Sequence, residues 1–286
     1  MINKKNIYKF LIILIIIILL ILIILIIFKR SYFVNNNNNN NNNNEKFINL
    51  DNNLINGQRL IVSLTTSPLR LKEIDKVIEN INNQTIKPTK IYLNVPHYFK
   101  RNCEKYNLEK LNELKKYNNL EINFCEDKGP ITKLYPTLEK ENDGNTMIII
   151  LDDDMEYENK LIEKLVSQFL ENPEIVLAND VNIYATVKGI DTPGAYAGII
   201  FKRSMFKDDF IDFVDKTGMY KNCYNSDDLI IGIYLKNKGV QVKQAKILGT
   251  HKSKDYSDGS DALKNQDNMY HIERYNKCKQ FIDKML

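Results

Sequence analysis

The sequence predicts an α/β domain, a mixed and mostly parallel sheet with helices on both faces, preceded by one transmembrane helix. Three observations predict it. From residue 58 onward, short apolar runs alternate with segments of helical periodicity. The apolar runs are continuous rather than alternating, as expected of strands buried on both faces of a parallel sheet. Ahead of them, residues 10–28 are an unbroken run of Ile, Leu and Phe.

The elements follow in order. Residues 60–65 (L-I-V-S-L-T) read as a buried strand. Leu71, Ile74, Val77, Ile78 and Ile81 recur at helical spacing, and Pro88 follows that helix. Residues 90–95 form a second strand closed by Pro96, 108–117 a helical stretch and 120–124 a third strand. The segment 131–140 is helical in pattern, with Pro136 demanding a kink or a late start. Residues 147–151 are the most hydrophobic strand of the body. Leu161, Ile162, Leu165, Val166 and Phe169 mark the next helix, which stops before Pro173. Beyond it the rhythm changes: 175–178, 181–187 and 196–201 read as strands without full helices between them. That pattern predicts a mixed second half on the same sheet rather than a separate domain.

The apolar run 10–28 is long enough, at about 1.5 Å per helical residue, to cross a bilayer core. It exceeds the h-region of a cleaved signal peptide, and no A-x-A-like site follows it. Lys4, Lys5, Lys9 and the α-amino group precede it, whereas Lys29 and Arg30 follow it. The positive-inside rule therefore puts residues 1–9 in the cytosol and the body in the lumen, a single-pass type II arrangement. A span at the short end of the allowed range fits the thinner membranes of the early secretory pathway, endoplasmic reticulum or Golgi apparatus. Residues 29–57, with asparagine throughout 35–44, read as a disordered spacer, and 58–286 as one folded domain.

Lys and Arg number 40 against 36 Asp and Glu, but the excess sits around the apolar run. The body is near neutral, without the clustered positive field that nucleic-acid binding needs. Cys103, Cys125, Cys223 and Cys278 lack C-x-x-C spacing, which argues against zinc and thioredoxin chemistry. Up to two disulfides are open, with three connectivities if all four pair. The one N-x-[ST] sequon is Asn83-Gln84-Thr85.

The sharpest feature is Asp152, Asp153 and Asp154, directly after the apolar strand 147–151. Open α/β sheets bind ligands outside the carboxyl ends of their strands. Adjacent carboxylates there repel one another unless a cation joins them, and hard oxygen ligands suit Mg²⁺ or Mn²⁺. The alternative is a solvated acidic turn that complements the dipole of the following helix.

The stretch M-I-I-I-L-D-D-D-M-E-Y at 147–157 resembles the D-x-D strand end of glycosyltransferases with the A-type (GT-A) fold, most closely the family-2-like group. Three more segments resemble that group in the expected order: I-V-S-L-T-T-S-P-L-R at 61–70, D-K-G-P-I-T-K-L at 127–134, and S-D-D-L-I-I-G-I-Y-L at 226–235. The resemblance implies a nucleotide-sugar donor, a glycan, glycoprotein or glycolipid acceptor, and Mn²⁺ or Mg²⁺ as cofactor. It implies Asp154 as direct metal ligand, Asp152 near ribose or metal, and Asp153 pointing away. Thr65, Thr66, Arg70 and Lys133 would serve the donor, and Ser67 and Pro68 a turn beside it. Lys133 also reads as an ordinary surface lysine. Of the acidic pair, Asp228 would be the general base, with Asp227 beside it, and direct attack would invert the anomeric carbon. Both acids also read as dipole partners of a helix that Ser226 caps.

His251 is the late histidine that such a resemblance would add to the metal shell, and it also reads as a structural or exposed histidine; His97 and His271 have no supporting context. G-A-Y-A-G-I-I-F at 194–201 resembles a small-residue strand bordering the acceptor, or packs closely for structural reasons. Two rivals stand beside the transferase. One is a non-catalytic lumenal domain of the same fold that binds carbohydrate or a partner. The other is a Mg²⁺-dependent phosphoryl-transfer enzyme, weakened because no G-x-x-x-x-G-K-[ST] loop is present.

Overall fold

The computed structural model describes residues 57–182, 187–246 and 271–286, together with strand residues 48–49, 54–55 and 251–253. Residues 50–286 form one compact unit and 1–49 another. The expected membrane span at 10–28 and most of the asparagine-rich spacer lie outside the described residues. Among those residues no helix is long and apolar enough to cross a membrane.

The compact unit is built on a seven-stranded sheet. Its strands are β1 (Leu60–Thr65), β2 (Lys90–Pro96), β3 (Leu120–Cys125), β4 (Met147–Ile150), β6 (Val176–Ala178), β7 (Ile199–Lys202) and β8 (Val242–Gln244). A separate two-stranded pair is made by β5 (Met155–Tyr157) and β9 (His251–Ser253). The order across the large sheet is β8-β6-β7-β4-β1-β2-β3. All neighbours run parallel except β7, which is antiparallel to both β4 and β6. The mixed, mostly parallel sheet expected from the sequence is therefore present, with one reversed strand.

Leu60–Leu64 and Met147–Ile150 are buried at every position, so both faces of the central sheet are covered. Helix α1 (Ile74–Asn82) buries Ile74, Val77, Ile78 and Ile81, the stripe that its spacing predicts. Helix α2 (Leu108–Glu113) is capped by Asn107, whose side chain accepts from the amides of Glu109 and Lys110. Helix α3 (Tyr135–Lys140) starts late, with Pro136 in its first turn, and a 3₁₀ turn at Ile131–Lys133 precedes it. Helix α4 (Leu161–Glu171) buries Leu161, Ile162, Leu165, Val166 and Phe169.

The second half departs more from expectation. Val181 and Val187 make isolated bridges to Pro193 and Ile190 instead of sharing a strand, and 183–186 lie outside the described residues. Ala195–Ala197 is a 3₁₀ turn, and the strand begins only at Ile199. Helix α5 (Asp209–Gly218) buries Phe210, Phe213 and Val214. The short α6 (Lys221–Tyr224) leads into α7 (Asp227–Asn237), whose residues Leu229–Leu235 are all buried. A helix apolar all round is an internal one, so its amino end is fixed from several sides. The chain ends in α8 (His271–Met285), joined to α6 by a disulfide between Cys278 and Cys223. Cys103 and Cys125 are free.

Candidate active site

Chain direction places the site. Strands β1 and β4 are parallel neighbours, so the loop from Thr66 and the turn Asp152–Asp154 leave the sheet at the same edge. The acidic turn is held by Tyr157, a buried residue three positions beyond it. The phenol accepts from the Asp152 amide at 2.9 Å and lies 3.0 Å from the Tyr196 carbonyl, to which it donates. Asn80 of α1 grips the Tyr157 backbone from both sides, accepting from its amide and donating to its carbonyl, each at 2.9 Å. The strand that follows the acids is thus fixed before any ligand arrives.

Lys133 is buried, contrary to the reading of an ordinary surface lysine. Its ammonium pairs with Asp152 Oδ1 and sits 3.0 Å from Asp227 Oδ2. It thereby joins two acidic groups about 75 residues apart in the chain. A buried polar network holds the Lys133 segment down. Ser63 donates to the Lys133 carbonyl; Asn94 Nδ2 lies 3.1 Å from Ser63 Oγ and 3.0 Å from Thr137 Oγ1; Asn123 donates to Asn94 Oδ1 at 2.9 Å. Sequence reasoning missed this network. Its signal was there: Ser63, Asn94 and Asn123 interrupt the apolar runs of β1, β2 and β3.

The loop ahead of Lys133 meets α6 through Gly129. At φ +77° this residue passes so close to α6 that an added Cβ would lie 2.5 Å from the Tyr224 carbonyl oxygen. Asp127 closes the same loop, accepting from the amides of Gly129 at 2.8 Å and Lys100 at 2.7 Å. Asp228, at the start of α7, accepts from the Ala195 amide at 3.2 Å. The small-residue segment 194–198 therefore touches the acidic pair. Ser226 precedes the helix without capping it through its side chain; its hydroxyl donates to the Asn222 carbonyl at 2.6 Å instead.

Arg70 lies on the 3₁₀ turn Arg70–Lys72 after β1 and reaches across to the acidic turn. Nη1 donates to Asp153 Oδ1 at 2.7 Å, and Nη2 lies 3.1 Å from Asp154 Oδ2. Asp153, expected to point away, is instead buried and shares Arg70 with Asp154. The hydroxyls of Thr65 and Thr66 turn elsewhere. Thr65 donates to the Asn94 carbonyl at 2.8 Å, and Thr66 Oγ1 is 3.4 Å from the Ser67 carbonyl, while Tyr106 ties the Thr66 carbonyl at 2.7 Å. The side chain of His251 lies outside the described residues; its backbone pairs with Tyr157, and Ser253 with Met155. His97 stacks on the exposed Phe124, and His271 Nδ1 lies 2.7 Å from Arg274 Nη2.

The electrostatics follow from five carboxylates facing two cations. Burial raises Asp154 to about 7, helped by Asp152 and Asp153 and opposed by Arg70. Burial and Asp227 likewise hold Asp228 well above the carboxylate range, against Lys133. Burial also raises Asp152, although Lys133 opposes it. For Lys133 itself burial disfavours charge, but Asp152, Asp227 and Asp228 outweigh it and keep the ammonium protonated.

The donor set suits a hard divalent cation in chemistry: carboxylate oxygens in excess, with Asp153 Oδ2 buried and lacking a hydrogen-bond partner. It does not yet suit one in arrangement. Among the described residues no three acidic, imidazole or thiol side chains are grouped as ligands, and Arg70 and Lys133 pair with the acids instead.

No protein-family model and no curated protein matches the chain. Solved structures do resemble it. The mannosyltransferase PcManGT from Pyrobaculum calidifontis, in complex with GDP-Man and Mn²⁺, aligns with a TM-score of 0.45 at 11% identity, over 67% of this chain and 56% of its own. S. aureus TarS 1-349 aligns at 0.47 and 10% identity, over 80% of this chain and 73% of its own. A 4-diphosphocytidyl-2C-methyl-D-erythritol synthase aligns at 0.43 and 9% identity, over 66% and 90%. The chain spans little more than half the length of the mannosyltransferase, and likenesses of this size say nothing of its reaction.

Proposed function

We propose that the protein is a metal-dependent, inverting glycosyltransferase that moves a sugar from a nucleotide-diphosphate donor to a hydroxyl of a glycan, protein or lipid. One observation carries the reading. Two acidic groups remote in sequence, one after β4 and one opening α7, meet at the carboxyl edge of a parallel sheet, bridged by Lys133. The four motif segments that resemble family-2-like glycosyltransferases contribute these residues in order.

In this reading Asp228 is the base. The Ala195 amide holds Oδ1, which orients the carboxylate and leaves Oδ2 to take the proton of the acceptor hydroxyl. The acceptor oxygen then bonds to the anomeric carbon as the bond to the diphosphate breaks, its electron pair leaving with the nucleotide. A single displacement of this kind inverts the centre. The raised affinity of Asp228 for protons makes it a stronger base once ionised. Lys133 fixes Asp152 and Asp227 relative to each other and adds positive charge where the diphosphate departs. Asp154 and Asp152 would hold Mn²⁺ or Mg²⁺, with His251 as a further ligand; such an ion supplies charge stabilisation for the leaving diphosphate.

The same proposal places the body in the lumen behind an anchor at 10–28, and the disulfide Cys223–Cys278 supports an oxidising compartment. The test is the full chain in detergent, incubated with a panel of nucleotide sugars and Mn²⁺, reading nucleoside diphosphate release. Asp154→Ala and EDTA should each abolish release. Release that survives both would remove the metal from the reading.

A further inference from the structure

Two parts of the site come from remote segments and have to keep a fixed distance: the acidic turn after β4, and Asp228 at the start of α7. A misplacement of about 1 Å between reacting groups can cost a hundredfold in rate. Lys133 joins the acidic turn to Asp227, but Asp228 is oriented from elsewhere, by the Ala195 amide at 3.2 Å. Ala195 opens the 3₁₀ turn Ala195–Ala197, so whatever fixes that turn also aims the base.

The turn is tied on two sides. Toward the end of β6, the Gly194 amide donates to the Asp180 carbonyl at 2.8 Å, and the Asn179 amide to the Gly198 carbonyl at 2.9 Å. Toward the acids, the Tyr157 phenol makes the link. Its oxygen accepts from the Asp152 amide at 2.9 Å, and its hydrogen has two carbonyl acceptors, Tyr196 at 3.0 Å and Asp152 at 3.1 Å. A phenol accepts and donates at once, and removing it at a buried position leaves both backbone partners unpaired. Tyr157 is 2% exposed, and Asn80 holds its backbone at the amide and the carbonyl. It is a fixed point between two mobile-length loops that otherwise meet only through their own strands.

We propose that Tyr157 is a positioning residue, whose hydroxyl joins the Asp152 backbone to the Ala195–Ala197 turn and so sets the base Asp228 against the donor-side acids. The proposal rests on the reading of Asp228 as base and adds the group that aims it. The relay runs from the Asp152 amide through Tyr157 Oη to the Tyr196 carbonyl, and from the Ala195 amide to Asp228 Oδ1. Buried as it is, Tyr157 acts through these groups and not on substrate.

The test compares the full chain in detergent with its Tyr157→Phe variant, which keeps the ring and loses the hydroxyl. Without any ligand, amide hydrogen exchange should speed roughly three- to tenfold at Asp152 and also at Ala195, while the amides of β1 keep their rates. Faster exchange at Asp152 with no change at Ala195 would confine Tyr157 to its own turn and overturn the proposal. In the nucleoside diphosphate release assay above, with the nucleotide sugar that the wild type turns over fastest, kcat should fall roughly ten- to a hundredfold while KM stays within about twofold. A merely structural tyrosine would leave kcat per folded molecule unchanged, and that result also overturns it. The Tyr92→Phe variant is the control: it loses an equally buried hydroxyl, bonded to Glu141 at 2.7 Å, and should change neither amide nor kcat. Should Tyr157→Phe fail to fold, Asn80→Ala frees the Tyr157 backbone and keeps its hydroxyl; it should speed the same two amides, and an unmoved Ala195 overturns the proposal there. A wild type that releases no nucleoside diphosphate refutes the transferase reading, while the exchange rates still decide whether Tyr157 links the two segments.

Discussion

Lys133 Nζ lies 3.0 Å from Asp227 Oδ2 while it also pairs with Asp152, so one buried ammonium ties the end of β4 to the start of α7. The Lys133→Met variant would leave these carboxylates buried without their cation. It should cost about 3 kcal/mol, the scale for stripping one partner from a buried pair, and lower the thermal midpoint by roughly 6–12 °C in a domain of this size. A double-mutant cycle with Asp227→Asn checks the cause. The double variant should recover at least about 1 kcal/mol relative to the sum of the singles. Strict additivity would mean that the pair does not bear on stability.

A second expectation concerns pH. Asp154 titrates near 7 in the fold, above its ordinary value of 3.8, and Asp152 and Asp228 are raised as well. A carboxyl with a raised folded pKa binds more protons folded than unfolded, so its ionisation opposes folding as pH rises through that window. The metal-stripped protein should therefore gain stability as pH falls from 8 to 7, a range above the unfolded histidine pKa of about 6.5. The Asp154→Asn variant should flatten that slope and stabilise the stripped protein at pH 8 by about 1–2 kcal/mol, less than the full shift implies because the three acids relax together. Thermal melts at four pH values decide it; a slope of the opposite sign would count against the acid crowding.

Much of this site was legible before the fold was known, for identifiable reasons. Asp152–Asp154 follow the most apolar strand of the body, and a continuous apolar run in an α/β pattern marks a central parallel strand. Helix α1 was legible from Ile74, Val77, Ile78 and Ile81, a periodic stripe that needs only local information. Arg70 reaching Asp153 was not, because an ion pair 83 positions apart depends on how two loops leave the sheet. The burial of Lys133 was hidden likewise, since it follows from the Ser63–Asn94–Thr137 contacts beneath it. The second half misled because 195–197 is composed like a strand yet closes a 3₁₀ turn before Gly198, whose φ of +102° re-aims the chain into β7.

Gly129 offers a test of how the Lys133 loop meets α6. The Gly129→Ala variant combines a positive φ of 77° with a Cβ placed 2.5 Å from the Tyr224 carbonyl and 2.9 Å from its ring. Backbone atoms cannot yield as a side-chain end can, so the loop or α6 must shift. The expected cost is about 2–4 kcal/mol, measured as a drop in thermal midpoint. An unchanged midpoint would show that the loop accommodates the methyl group and does not brace Tyr224.

The disulfide predicts a thiol count. Cys223 and Cys278 bond α6 to α8 across 55 residues, while Cys103 is exposed and Cys125 half-buried, both free. The unfolded but unreduced chain should react with two equivalents of a maleimide, and the reduced chain with four. Replacing both paired cysteines with serine should cost about 2–4 kcal/mol by freeing a loop of this length. Four reactive thiols without reductant would place the protein in a reducing compartment and remove support for a lumenal body.

The lumenal proposal has its own reporter in Asn83. This residue is exposed at the carboxyl end of α1, where its amide closes the helix onto the Glu79 carbonyl. Thr85, the third residue of the sequon, is held in the fold, its hydroxyl 2.6 Å from Glu163 Oε2. Transfer of a glycan to Asn83 therefore belongs before folding, while the segment is still extended, and the finished fold tolerates it because the side chain faces solvent. Expressed with its own amino terminus in a glycosylating cell, the full chain should run as a larger species. An endoglycosidase should collapse it to the size of the Asn83→Gln variant. Equal mobility of the two proteins, with the sequon exposed, would place the body on the cytosolic side and reverse the orientation read from Lys4, Lys5 and Lys9.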